Sequence, residues 1–200
     1  TDRKKAETAL QQATLIVENS PVMLIRWRAA EGWPVVLVSQ NITQFGYTPE
    51  EFLSGSIRFA SIVHPDDLQR VGQEVQDYTA SGVERFLQEY RILTKEGQVR
   101  WVEDRTMIER DADGLVTHFQ GLVVDITERK QVEEELRRNQ DMLRTVLDQF
   151  PGVVFWKDLQ SVYLGCNQAF SMGAGLANPA EIVGKTDFDL IWATTEAMAY

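Results

Sequence analysis

Two histidines, one cysteine and a few close-set carboxylates are the side chains of this chain that could carry chemistry. His64 lies in Ile62-Val63-His64-Pro65-Asp66-Asp67, which reads as a loop entering a helix. Proline suits a first helical turn, and two acids there favour the positive end of the helix dipole. With no nucleophile beside it, His64 reads as a capping and packing residue. His118 falls mid-strand, on a sheet surface or in a core. Neither histidine stands at metal-ligand spacing from the other or from Cys166, so no metal site is expected. Asp111-Ala112-Asp113-Gly114 hints at calcium, but a calcium loop needs a glutamate at its twelfth place, which here is Leu122. That segment reads as a turn. No acid–base or nucleophile constellation is present, so no residue is given a catalytic role and this stretch is not expected to be an enzyme.

The remaining carboxylates have a mechanical meaning. Asp125-Ile126-Thr127-Glu128 joins a β-like run, 115–124, to a long charged helical stretch. Asp125 and Glu128 have capping-box spacing: one side chain accepts an orphan helix N–H and the other reaches back to the cap. These four residues are expected to couple a strand end stiffly to a helix start and to transmit signals. The helix beyond carries Val132, Leu136, Asn139, Leu143, Val146 and Phe150, at spacings of 4, 3, 4, 3 and 4. That is the seam of helices paired side by side, with Asn139 setting partner alignment at some cost in stability. A homodimer through these helices is expected. Ala6, Leu10, Ala13 and Val17 repeat the spacing more weakly.

The elements that must hold such a junction follow from hydropathy and turn residues. The chain repeats itself loosely. Charged helical stretches end at Pro21 and Pro151, because proline lacks an N–H and disfavours helix in the residue before it. Each is followed by an apolar run ending in tryptophan, 22–27 and 153–156, and then by a short strand, 35–39 and 162–165. Asn41 and Asn167 each open a short helix; Gly46 and Gly175, then Gly55 and Gly184, complete the match. In the first copy a helix is expected from Asp66 to about Tyr78, stopped by Gly82. Strands 86–93, 99–110 and 115–124 follow, linked through Lys95-Glu96-Gly97 and Asp111-Ala112-Asp113-Gly114, so they pair antiparallel. Trp27, Phe45, Phe52, Phe59, Trp101 and Phe119 are candidates to line a pocket, although aromatics at such spacing more often make core. Gly121 allows a close approach to the last strand.

Composition sets the outer bounds. Two hundred residues, 44% of them hydrophobic, fit one or two domains with a sizeable core. A net charge of -10 argues against nucleic acid and anionic membranes as partners. No apolar run approaches the ~20 residues of a bilayer span. A single cysteine fits a reducing, cytoplasmic setting.

Taken in order, Glu18-Asn19-Ser20-Pro21, Gly46-Tyr47-Thr48-Pro49-Glu50-Glu51, His64-Pro65-Asp66-Asp67, Tyr90-Arg91-Ile92, Gly97 with Arg100-Trp101-Val102, Asp113-Gly114 and Asp125-Ile126-Thr127-Glu128-Arg129-Lys130 resemble the motifs of PAS sensor domains with a PAC-type second half. Phe155-Trp156-Lys157-Asp158, Gly165-Cys166-Asn167 and Gly184-Lys185-Thr186-Asp187 resemble the start of a second one. The resemblance implies an α+β PAS fold: a five-stranded antiparallel sheet with helices on one face, a pocket between them, and long signalling helices on either side. The division is then a linker helix over 1–20, a PAS/PAC domain over 21–126, a coiled-coil-type helix over 127–150, and a truncated PAS domain over 151–200. It also implies a bacterial signalling protein with an output domain further along the chain, most often a histidine kinase and next a diguanylate cyclase. Neither signature lies within these residues. Haem-binding relatives use a histidine on the long helix, and light-sensing flavin relatives a cysteine in an Asn-Cys-Arg-Phe type motif. Asp66–Tyr78 has no histidine and Asn41-Ile42-Thr43-Gln44-Phe45 no cysteine, which argues against both cofactors. A non-covalent flavin or small apolar ligand stays open. So does a second class of function, a dimerising spacer whose pocket is filled by its own side chains.

Overall fold

In the computed structural model, which describes residues 20–191, alternation of apolar side chains builds the main sheet. Met23, Ile25 and Trp27 of β1 (Val22–Arg28) are buried, while the residues between them are not. β1 pairs with β2 (Val35–Val38) on one side and with β5 (Val116–Asp125) on the other. β4 (Val99–Arg110) and β3 (Arg85–Leu93) complete the order β2-β1-β5-β4-β3, antiparallel throughout. The last strand therefore lies mid-sheet, flanked by β1 and β4.

The segment between β2 and β3 covers one face. It contains a 3-10 turn (Gln40–Phe45), helix α1 (Pro49–Leu53), a second 3-10 turn (Phe59–Ser61) and helix α2 (Pro65–Ser81). Local chemistry fixes each helix start. Thr48 and Glu51 form a reciprocal capping box at α1. His64 caps α2, its Nδ1 accepting the Asp66 N–H at 3.3 Å. α2 runs past Tyr78 to Ser81, because nothing before Gly82, at φ +76°, breaks the helix. Met23, Ile25, Ile42, Phe45, Phe52, Ile92, Val102 and Val123 are fully buried between sheet and helices. The Asp111 turn uses its own carboxylate, whose Oδ1 accepts the N–H groups of Asp113 and Leu115.

Backbone contacts divide the chain into two compact units after Gln131. Helix α3 (Thr127–Gln149) continues into the second, which contains β6 (Phe155–Lys157), β7 (Tyr163–Cys166) and helix α4 (Gln168–Gly173). β6 starts at Phe155 rather than Val153. The Val154 N–H is taken by Asn167 Oδ1 at 3.0 Å while its carbonyl still accepts the Asn167 N–H at 2.9 Å, so the asparagine that caps α4 leaves the pairing half made at this residue. The rings of Phe155, Tyr163 and Phe170 meet at 4.9–5.6 Å over a small core. The repeat seen in the sequence has a backbone counterpart. Gly46, Gly175, Gly55 and Gly184 all take φ between +74° and +83°, where a side chain would be strained. The stretch with Ala6, Leu10, Ala13 and Val17 lies outside the described residues, as do positions 192–200.

Candidate functional site

Between the sheet and the helices lies a partly open chamber of about 30 Å³, lined by Trp27, Phe59 and Phe119 among the expected aromatics. Phe45 and Phe52 do not reach it; both are wholly buried in the packing of the helical segment. Trp101 stands on the opposite face of the sheet, because the β4 residues that point inward are Val102, Asp104, Thr106 and Ile108. The chamber's polar floor is Gln88 and Tyr90 of β3 with Asp104 and Thr106 of β4. Each is at most 4% exposed.

The floor is closely hydrogen-bonded. Tyr90 donates its hydroxyl to Asp104 Oδ2 at 2.9 Å, and Thr106 donates to Oδ1 at 2.8 Å. Gln88, directly opposite Asp104 in the ladder, turns to α2 and donates to Glu74 Oε2 (2.8 Å) and the Val71 carbonyl (3.3 Å). Burial raises the Asp104 carboxyl to about 6; the two hydroxyl donors partly offset that rise. Tyr90 is pushed well above its ordinary value by burial and the carboxylate beside it. Gly121 matters here as a missing side chain: a Cβ there would lie 2.3 Å from the Trp27 ring and 2.8 Å from Asp104 Oδ1. Its close approach serves packing of the indole onto β5. Nothing but the alternation Val102-Asp104-Thr106-Ile108 marked Asp104 beforehand. An acid at an apolar beat is the signal that could have found it.

The junction is a second constellation, formed on the outer side of β4 and at the start of α3. Asp125 stays in β5 and Ile126 is buried. The Asp125 carboxylate accepts the Thr127 N–H at 2.8 Å, a two-residue turn in place of the expected capping box, and Glu128 lies in the first helical turn. Thr127 ties the helix to the sheet, its Oγ1 accepting the Trp101 N–H at 2.9 Å, while Ile126 N–H donates to the Trp101 carbonyl at 2.9 Å. Trp101 is also flanked by two cations, Arg91 at 5.7 Å and Lys130 at 5.5 Å from its ring. Arg91 pairs with Asp67 at the start of α2 (2.6 Å), and Lys130 with Glu89 of β3 (2.6 Å), which also takes Arg129. A chain of contacts thus runs from the N-terminus of α2 through β3 and Trp101 to the first turn of α3. Lys130 holds the Glu89 carboxyl below its usual range, and Arg91 does the same for Asp67. No local pattern pointed to Glu89 and Lys130, because their partnership depends on strand register.

Beyond this turn the seam residues are open. Val132, Leu136, Leu143, Val146 and Phe150 are 56–63% exposed, and Asn139 is exposed with them. No residue of α3 is buried. Among the described residues no helix is long and apolar enough to cross a membrane, and no group of histidine, cysteine and acidic side chains could hold a metal.

Comparison with known proteins gives this geometry a context. Residues 35–123 match the family model described as PAS fold. A methyl sulfide methyltransferase-associated sensor of Methanosarcina acetivorans is 49% identical over 119 residues, 60% of this chain and 12% of that protein. The sensor protein FixL of Bradyrhizobium diazoefficiens is 32% identical over 93 residues, 46% of this chain and 18% of the relative. The chain therefore spans less than a fifth of the length of either. Among solved structures, a sensory box histidine kinase/response regulator from Burkholderia thailandensis matches with a TM-score of 0.53 and 25% identity, over 67% of this chain and 98% of that one.

Proposed function

The chain carries a PAS sensor domain, and from that premise we propose that it is the sensory module of a larger signalling protein. In this reading a change in the chamber alters β3 and β4, and the junction Asp125-Ile126-Thr127 passes it to α3. The observation that carries it is the Thr127 Oγ1 bond to the Trp101 N–H, which ties the first helical turn directly to β4. α3 pairs with its counterpart in a second copy through Val132, Leu136, Asn139, Leu143, Val146 and Phe150. Five large apolar side chains more than half exposed on one heptad seam support that pairing. Two helix registers of similar energy would make the pair a switch. Residues 151–200 are the beginning of a second PAS domain, and the output is a histidine kinase elsewhere in the same cytoplasmic protein. The likeness to the Burkholderia histidine kinase/response regulator supports the kinase.

Light scattering tests the pairing. Leu136→Asp should turn a dimer into a monomer with the first domain still folded; a monomer without the substitution contradicts it. In the full-length protein, Asp125→Ala should leave the core intact and fix the output at one level. Normal signalling by that variant removes the junction from the mechanism. One observation favours a second reading, a spacer that senses nothing: at about 30 Å³ the chamber has the scale of one water molecule. Mass spectrometry of denatured protein and a visible spectrum separate the two. A co-purifying small molecule supports sensing.

A further inference from the structure

The chamber does not stand alone. On the same unit, an open cleft of about 610 Å³ lies between the Ala29–Trp33 turn and one face of α2. Trp33, Val75 and Phe119 line both spaces, so the two adjoin at these three side chains. Trp33 belongs to a turn held by its own N–H to the Ala30 carbonyl at 3.0 Å, and it takes φ +50°, a conformation a bulky side chain rarely adopts. On the opposite wall Gly72 sits mid-helix, where glycine is unfavourable, yet an added Cβ would meet nothing within 4 Å. Neither backbone geometry nor packing calls for glycine there. Its effect is to keep the cleft wide.

Two buried polar atoms bordering these spaces have no hydrogen-bond partner among the described residues. One is the Trp27 indole N–H, on a side chain 4% exposed that lines the chamber; the other is the Thr79 hydroxyl, on a residue lining the cleft. Buried polar groups are normally satisfied, so each marks a place where a partner belongs. The Asp104 carboxylate accepts one bond on each oxygen and can accept more.

The geometry points to a ligand route in which a small, uncharged, largely apolar alcohol or phenol enters by the Gly72 cleft, displaces Trp33, and brings its hydroxyl into the chamber, where the Trp27 N–H lacks an acceptor and the Asp104 carboxylate can accept a further bond. This rests on the sensory reading above and gives that site a ligand class. A hydroxyl group both accepts, as the Trp27 N–H requires, and donates, as the carboxylate requires. A carboxylate ligand meets Asp104 inside and Glu31 at the mouth. An ammonium group has no lone pair for the indole N–H. The walls of Phe59, Phe86, Val71 and Phe119 suit an apolar body. Displacement of Trp33 is what widens the junction of the small chamber with the cleft and makes room for it.

The test is tryptophan fluorescence of the protein titrated with benzyl alcohol, benzoate and benzylamine in parallel. The expected result is saturable quenching by benzyl alcohol, with the two charged probes at least about tenfold weaker. Gly72→Phe should weaken the alcohol about tenfold while the thermal transition stays in place. If that variant fails to fold, Gln76→Trp on the exposed part of the same wall should do the same, read by calorimetry. Trp33→Ala should bind at least as tightly as the original. Equal affinity for all three probes, no saturable binding, or full affinity in a folded cleft variant overturns the route. Light scattering on the same samples reads α3 pairing separately, so failure here is distinguishable from failure of the signalling account.

Discussion

Replacing Asp104 by Asn should change how the stability of the domain depends on pH. The unfolded carboxyl titrates near 3.8 and the folded one near 6. A raised folded value means that the folded chain keeps its proton where the unfolded chain has lost it. Stability therefore falls as pH rises through that window and levels off above it. A rise from 3.8 to about 6, at about 1.4 kcal/mol per pH unit, makes ionised Asp104 destabilising by about 3 kcal/mol at pH 8 relative to pH 3. The amide of the Asp104→Asn variant does not titrate and can still accept from Tyr90 or Thr106. The other carboxylates, several of them held low by ion pairs, are common to both proteins and cancel in the difference. Urea unfolding followed by fluorescence at pH 3–8 should show Asp104→Asn gaining about 3 kcal/mol on the original protein across the range. Two parallel curves would refute the buried, singly isolated carboxyl, and a gain completed below pH 4 would refute its raised titration.

Three further substitutions probe the supports of the site. Gly121→Ala places a Cβ 2.3 Å from the Trp27 ring, and should cost about 1–3 kcal/mol in thermal unfolding and shift Trp27 emission. Asp67→Ala removes the acceptor of the Arg91 backbone N–H and of two guanidinium bonds. It should cost about 1–3 kcal/mol at pH 7, and progressively less as pH falls through the titration of this carboxyl, which the Arg91 guanidinium holds below its ordinary value. Gly72→Ala, free of any clash, should stabilise the domain by about 0.5–1 kcal/mol, measurable in urea; a loss would mean that packing explains the glycine after all.

The strands, the antiparallel pairing of β3, β4 and β5, and the stops at Gly82 and Pro151 were legible because each depends on residues close in the chain. Alternation in β1 and β4 separates two faces, and proline and glycine end helices through their own backbone chemistry. The site was legible only in part. Trp27, Phe59 and Phe119 face the chamber, but Trp101 does not, because it falls one residue off the inward beat of Val102, Asp104 and Thr106. Asp104 is polar by type and inward by position, and attention to apolar residues passes over it. At the junction, type and spacing suggested a capping box. One residue of strand continuation puts Ile126 between Asp125 and the helix, so the same carboxylate closes a turn instead. Glu89 and Lys130 come together through the sheet from distant parts of the chain, a separation that no local pattern spans.

Dipolar electron resonance between spin labels tests the central idea most directly. A label at Arg138→Cys, in a Cys166→Ser background, sits on the solvent side of α3 and reads the distance between two copies. The account predicts one narrow intermolecular distance, which broadens when Asp125→Ala loosens the first turn from β4. No intermolecular signal, or a distance that Asp125→Ala leaves untouched, would contradict it.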